Sequence, residues 1–150
     1  MKKIGLVLIM VAASFAIHAQ TKDPVSLKYE AKKKGAGIYE VVVTATIDKP
    51  WNLYSQTSAK GGPLPAALTF KANPSISLSG TPKETGKLKK VFDKNFSTTV
   101  SYYTDTVTFV QTVNVKGNVK TTITGTIEYM VCNDTQCLPP VKKTFNLVFQ

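Results

Sequence analysis

After residue 20 the chain is built from short runs of alternating apolar and polar residues, broken by Gly, Pro, Asn and Asp. Alternation with a period of two marks strands with one face on a core and one in water. Over 106–115, Val107, Phe109, Val113 and Val115 share one face, opposite Thr106, Thr108, Thr112 and Asn114. Over 119–131, Ile123, Ile127, Tyr129 and Val131 do the same, and Val141, Phe145, Leu147 and Phe149 repeat the pattern over 141–149. Further strands are predicted at 25–31, 38–47, 51–55, 66–72, 76–79 and 99–103. Segments 99–103 and 106–115 read as a pair turned at Thr104-Asp105. No helical period of useful length appears. About eight such strands predict an all-β fold, an immunoglobulin-like antiparallel β-sandwich. The run Lys32-Lys33-Lys34, followed by Gly35-Ala36-Gly37, reads as a solvated turn. Residues 58–65 and 80–95 read as loops, where function in such a sandwich tends to sit.

The first residues follow a different rule. Lys2 and Lys3 precede an apolar stretch from Ile4 to Ile17, and Ala19 offers a small residue for cleavage. That order is the pattern of a secretory signal peptide over residues 1–19, and the stretch is too short for a membrane-spanning helix. The expected organisation is a cleaved leader followed by a single domain over 20–150, exported to the periplasm or secreted. No cysteine follows the apolar stretch, which argues against a lipid anchor there.

Charge and composition mainly exclude. The formal charge is +10 and falls to +8 without Lys2 and Lys3. All 19 basic side chains are lysines, so bidentate arginine contacts to guanine or phosphate are absent and no nucleic-acid partner is expected. The one histidine, His18, leaves with the leader. The remaining chain lacks the base of a Ser-His-Asp or Cys-His pair and the commonest metal ligand. No cofactor is expected, and the chain is expected to act as a monomer.

Cys132 and Cys137 are then the one credible chemical site. The intervening Asn133-Asp134-Thr135-Gln136 is polar and turn-like, and strands lie on both sides. Both sulfurs are therefore expected at a hairpin end, close enough to bond, and an oxidising compartment favours the disulfide. A loop this short contributes only about 2 kcal/mol to stability in the chain-entropy picture, and exposed bridges are the labile ones. On the residues alone, a stabilising bridge and a redox pair both stand.

The segment Tyr129-Met130-Val131-Cys132-Asn133-Asp134-Thr135-Gln136-Cys137-Leu138-Pro139-Pro140 resembles the active-site hairpin of the N-terminal periplasmic domain of the thiol:disulfide interchange protein DsbD. That family's pattern is Tyr, two residues, Cys, four or five residues, Cys, one residue, Pro-Pro. Val131 departs from it, standing where the family favours a small residue. The resemblance implies an immunoglobulin-like sandwich and thiol–disulfide exchange through Cys132 and Cys137. It implies electrons received from a membrane-embedded donor and passed to periplasmic thiol–disulfide clients, including proteins of cytochrome c maturation. The family's membrane segment and thioredoxin-like domain do not follow Gln150, so donor and clients are expected as separate chains. It further implies an aromatic cap over the cysteines, with Phe96 as first choice and Phe92 as second. Trp51 and Tyr54 resemble the aromatic strand bordering the site. On charge alone, Asp93 and Asp134 are alternative candidates for tuning the thiols, since a nearby carboxylate disfavours thiolate, and either is equally a candidate turn residue. Pro139 and Pro140 donate no backbone hydrogen bond and are expected to stiffen the loop beside Cys137.

Two other readings compete. One is a secreted binding or structural module with a static disulfide. The other is a Cu(I) site formed by Cys132, Cys137 and Met130, since thiolate and thioether suit soft metals. The leader is tested directly: N-terminal sequencing of the exported protein should begin at Gln20, and a mature chain retaining Met1 would contradict cleavage.

Overall fold

The computed structural model describes residues 23–59, 61–117 and 119–150; the expected leader lies outside them. These residues form eleven strands and no helix. In chain order they are β1 (Val25–Gly35), β2 (Ile38–Ile47), β3 (Asn52–Tyr54), β4 (Ala67–Phe70), β5 (Ile76–Gly86), β6 (Lys89–Asp93), β7 (Thr98–Tyr103), β8 (Thr106–Val115), β9 (Thr121–Tyr129), β10 (Val131–Cys132) and β11 (Val141–Phe149). They pair antiparallel in three sheets, ordered β1-β2-β8-β5, β10-β3-β7-β6 and β11-β9-β4.

The period-two pattern explains the layers. Val41, Val43 and Ala45 of β2 and Val107, Phe109 and Val113 of β8 leave the first sheet on one face. They meet Leu53, Tyr103 and Val131 of the second sheet and Ile123, Ile127, Tyr129, Phe145 and Phe149 of the third. The result is an antiparallel, immunoglobulin-like β-sandwich around one main core, as the alternation predicts. A smaller cluster, Tyr54, Val100 and Cys132, lies apart from it.

Four local expectations are corrected. Lys32, Lys33 and Lys34 belong to β1 rather than to a turn, because a tighter turn at Ala36-Gly37 suffices. Gly37 takes φ +68 there, and a Cβ would meet the Val115 carbonyl oxygen at 2.8 Å. Residues 80–95 are not one loop. They contain the end of β5 and all of β6, which are edge strands whose lysines hide the strand pattern. A bulge separates Ser79 from Lys83, and the buried Gln111 amide donates to the carbonyls of Ser79 and Gly80 there. Segments 99–103 and 106–115 are not hairpin partners. β7 pairs with β3 and β6, whereas β8 pairs with β2 and β5. Thr104-Asp105 is thus a crossover between layers. Finally, 119–131 is not continuous, since the ladder ends at Tyr129 and the chain changes sheet.

Gly125 on β9 faces Phe145 on β11, whose ring occupies the space a Cβ would need. Tyr29 of β1 stacks on the same ring at 4.4 Å, and Phe70 of β4 meets it edge-on at 6.3 Å. One glycine thereby seats an aromatic ring shared by three neighbouring strands. Gly125→Ala should cost about 1–3 kcal/mol through overpacking. The check is a lowered urea midpoint at unchanged slope; an unmoved midpoint would show that the ring yields freely.

Candidate functional site

The β9–β11 ladder runs to Tyr129 opposite Val141. Continuing that register would set Pro140 against Met130 and Pro139 against Val131. Neither proline has an N–H to give, so the ladder stops. Val131 and Cys132 pair instead with Leu53 and Asn52 of β3. Polar backbone groups in a buried segment must find partners, and β3 is the strand within reach.

A tight turn then brings the chain back. The Asn133 side-chain oxygen accepts from the Thr135 N–H, the Thr135 hydroxyl and the Gln136 N–H, each at 2.9 Å. The Asn133 N–H donates to the Gln136 carbonyl at 2.9 Å, and the Leu138 N–H to the Val131 carbonyl at 2.9 Å. Cys132 and Cys137 face each other across this turn and form a disulfide, with Cα atoms 4.0 Å apart. The two sulfur-bearing residues differ in environment. Cys132 is 4% exposed, whereas Cys137 is exposed to solvent.

Cys132 is buried by the smaller cluster. Tyr54 and Val100 enclose it, with Phe96, Tyr102 and Met130 packed around them. Phe96 sits in the turn between β6 and β7. Asp93 Oδ1 accepts from the Asn95 N–H at 2.8 Å and the Phe96 N–H at 3.4 Å, and Ser97 takes the left-handed conformation at φ 51. A groove of about 310 Å³ joins Phe96 to Cys137. A second, of about 350 Å³, is lined by Tyr54, Phe92, Asp93 and Tyr102 on one side and Asn133 and Asp134 on the other.

The residues singled out in the sequence therefore separate. Cys132, Cys137, Phe96, Tyr54 and Asp93 are brought together. Phe92 is 62% exposed and lines the neighbouring groove, outside the cluster that buries Cys132. Trp51 packs against the main core, because β3 alternates and Trp51 shares its face with Leu53, opposite Tyr54. Tyr129 is fully buried in the main core and donates to Asp23 Oδ2 at 2.6 Å, so it anchors the hairpin's base. Pro139 and Pro140 are exposed and act through the ladder they end. Val100 and Tyr102 were not singled out. No alternation marks them: Val100, Ser101 and Tyr103 are all buried, because β7 lies between two clusters and packs on both faces.

The pKa shifts are those of tyrosines. Burial first, then the Asp93 carboxylate and Tyr102, push Tyr54 up. Burial and then Glu84 push Tyr103 up to about 12. Burial, followed by the hydrogen bond to Asp23, pushes Tyr129 up. Among the described residues no group of three or more His, Cys, Asp or Glu could hold a metal ion.

The fold and site define a class: a β-sandwich carrying one disulfide, half buried and half open, at a hairpin end. The chain belongs to the family described as thiol:disulfide interchange protein DsbD, N-terminal, whose model matches residues 13–148. No curated protein matches it. Among solved structures it resembles the N-terminal periplasmic domain of ScsB from Proteus mirabilis, at 15% identity and a TM-score of 0.61. That match covers 83% of this chain and 46% of the other, so the chain spans about half of that relative. The reduced DsbD N-terminal domain of Neisseria meningitidis matches at 17% identity and a TM-score of 0.54, covering 81% of this chain and 83% of that one. The DsbD N-terminal domain has also been solved in complex with the PilB N-terminal domain from Neisseria meningitidis. That structure matches at 14% identity and a TM-score of 0.53, with 80% of each chain covered. These likenesses agree with the fold, and the family makes this a thiol–disulfide interchange domain.

The buried tyrosines carry a pH signature. Unfolded, both Tyr103 and Tyr129 ionise near 10, whereas the fold holds both higher. As pH climbs past 10 the unfolded chain loses these protons first. Stability present below pH 10 should therefore drain between pH 10 and about 12. Tyr129→Phe should lower stability at pH 7 by about 1–3 kcal/mol and flatten the alkaline decline. Urea titrations from pH 8 to 12 read both effects; an equal slope in wild type and variant would contradict the assignment.

Proposed function

We propose that this chain is an exported thiol–disulfide exchange domain, spanning 20–150, that passes electrons from a membrane-embedded donor to periplasmic client proteins through Cys132 and Cys137. The observation that carries the reading is the asymmetry of the pair. A static bridge has no need of one open sulfur and one sealed beneath an aromatic lid. An exchange pair uses both: the open sulfur meets the partner, and the covered one waits. That a related domain forms a complex with the PilB N-terminal domain supports a role in meeting partner proteins.

The chemistry follows from exposure. A donor thiolate attacks Cys137 Sγ, the S–S bond breaks, and Cys132 leaves as a thiolate. The donor's second thiolate then attacks its own sulfur in the mixed disulfide and frees Cys137. Two electrons have moved to the domain, and the donor is left as a disulfide. Towards a client the sequence reverses. The Cys137 thiolate attacks the client disulfide, and Cys132 displaces it from the mixed disulfide. Phe96 shields Cys132 between partners, and Asp93 holds Phe96 in place through the turn. No cofactor enters the cycle. Clients in cytochrome c maturation fit this chemistry.

A redox titration followed by trapping tests the reading. The pair should titrate above about −300 mV, the upper bound for structural bridges. Cys132→Ser should capture partners as mixed disulfides through the open Cys137, and Cys137→Ser should capture far fewer. In the same titration samples, Phe96→Ala should speed reduction by small thiols. A potential below that bound, together with no adducts from either variant, would favour the static bridge.

A further inference from the structure

We propose that edge strand β6 is a docking rail that selects partners presenting an acidic, apolar-tipped strand beside their reactive cysteine; this rests on the exchange reading above. β6 lies at the free edge of the second sheet and is paired only with β7. Leu88, Val91 and Phe92, three of the exposed large apolar side chains, fall on this one short stretch. Single exposed apolar residues are ordinary, whereas three within five positions along a free edge beside the cysteine site mark an interaction surface.

Charge names the occupant. Lys87, Lys89, Lys90 and Lys94 surround the apolar run, and none of them takes part in the four ion pairs between described residues. Asp93 is the one carboxylate in the stretch, and one of its oxygens is engaged by the turn. Asp105 and Asp134 stand at the two flanks, the first beside Lys89 and the second near Cys137. Lysines on an edge strand keep unwanted strands away, a second copy of this chain included. An acidic strand lifts that block. Its carboxylates meet the lysines, its backbone completes the open edge, and its apolar side chains cover Val91 and Phe92. The rail also leads to the chemistry, because the groove lined by Val91, Phe92 and Lys94 reaches Asn133 and Asp134. Asn133 and Asp134 in turn line the groove that holds Cys137.

The test uses the reduced protein and two peptides, each with one cysteine capped by 2-thiopyridine, flanked by Glu-Val-Glu or by Lys-Val-Lys. The Cys137 thiolate attacks the peptide sulfur, and 2-thiopyridone leaves with the electron pair and a proton. Cys132 then displaces the peptide thiolate and closes the disulfide. Rates are divided by those for a capped 2-mercaptoethanol probe, so that changes in thiol reactivity cancel. The acidic peptide should react about tenfold faster at low ionic strength. The gap should close in high salt, and the K87E/K89E/K90E/K94E variant should reverse it. Phe92→Ser should slow the acidic peptide. Equal rates for the two peptides, or a preference that high salt and the fourfold variant leave standing, would overturn the proposal. Failure of wild type to react with all three probes would instead sink the exchange reading itself.

Discussion

Two missing N–H groups decide where this molecule keeps its disulfide. Pro139 and Pro140 stand where the β11 side of the ladder should meet Val131 and Met130, and they have nothing to donate. The regular ladder of β9 ends there; across the hairpin the Leu138 N–H takes over at the Val131 carbonyl, and along its other edge the chain pairs with β3 as β10. That step turns two successive side chains into different interiors. Val131 enters the main core, and Cys132 enters the smaller cluster under Tyr54. The departure from the family pattern at Val131 is absorbed the same way, because the residue is fully buried in a core with room for it.

The smaller cluster needs a firm base, and β3 and β7 supply it by packing on both faces. Leu53 and Tyr103 point to the main core, while Tyr54, Val100 and Tyr102 point to the site. A polar clasp ties the base to the other layer. Glu84 of β5 accepts from the Ser55 hydroxyl and, at 3.0 Å, from the Gln56 N–H. Ser55 is fully buried, so this clasp leaves no polar group stranded. The site thus rests on sheet rather than on loop, which limits how far its side chains can drift.

The layered sandwich was legible because burial on one face writes itself into the chain as alternation, as in β8, β9 and β11. The cysteine pair was legible because four polar residues between two strands leave few other geometries. What escaped notice has physical causes. β5 and β6 carry lysines and glycines because they are edges, and their pairing is imposed by β8 and β7 rather than by their own composition. The apparent hairpin at Thr104-Asp105 failed because adjacency in sequence does not say whether two strands share a sheet. Val100 and Tyr102 escaped because a strand buried on both faces loses its alternation. Trp51 and Tyr54 were three residues apart and looked alike, yet the pleat sends them to opposite faces.

The turn between the cysteines has one more consequence. Its hydrogen bonds run through the Asn133 side chain and through Val131, Gln136 and Leu138, and none passes through a sulfur. Opening the S–S bond leaves those bonds in place. The two thiols therefore stay neighbours at a very high effective concentration, and ring closure competes strongly with any outside thiol. In the proposed cycle, a partner joined to Cys137 would be released soon after it arrives. In such a hairpin, brevity of contact is set by the backbone of the turn, independently of how tightly the partner's surface binds.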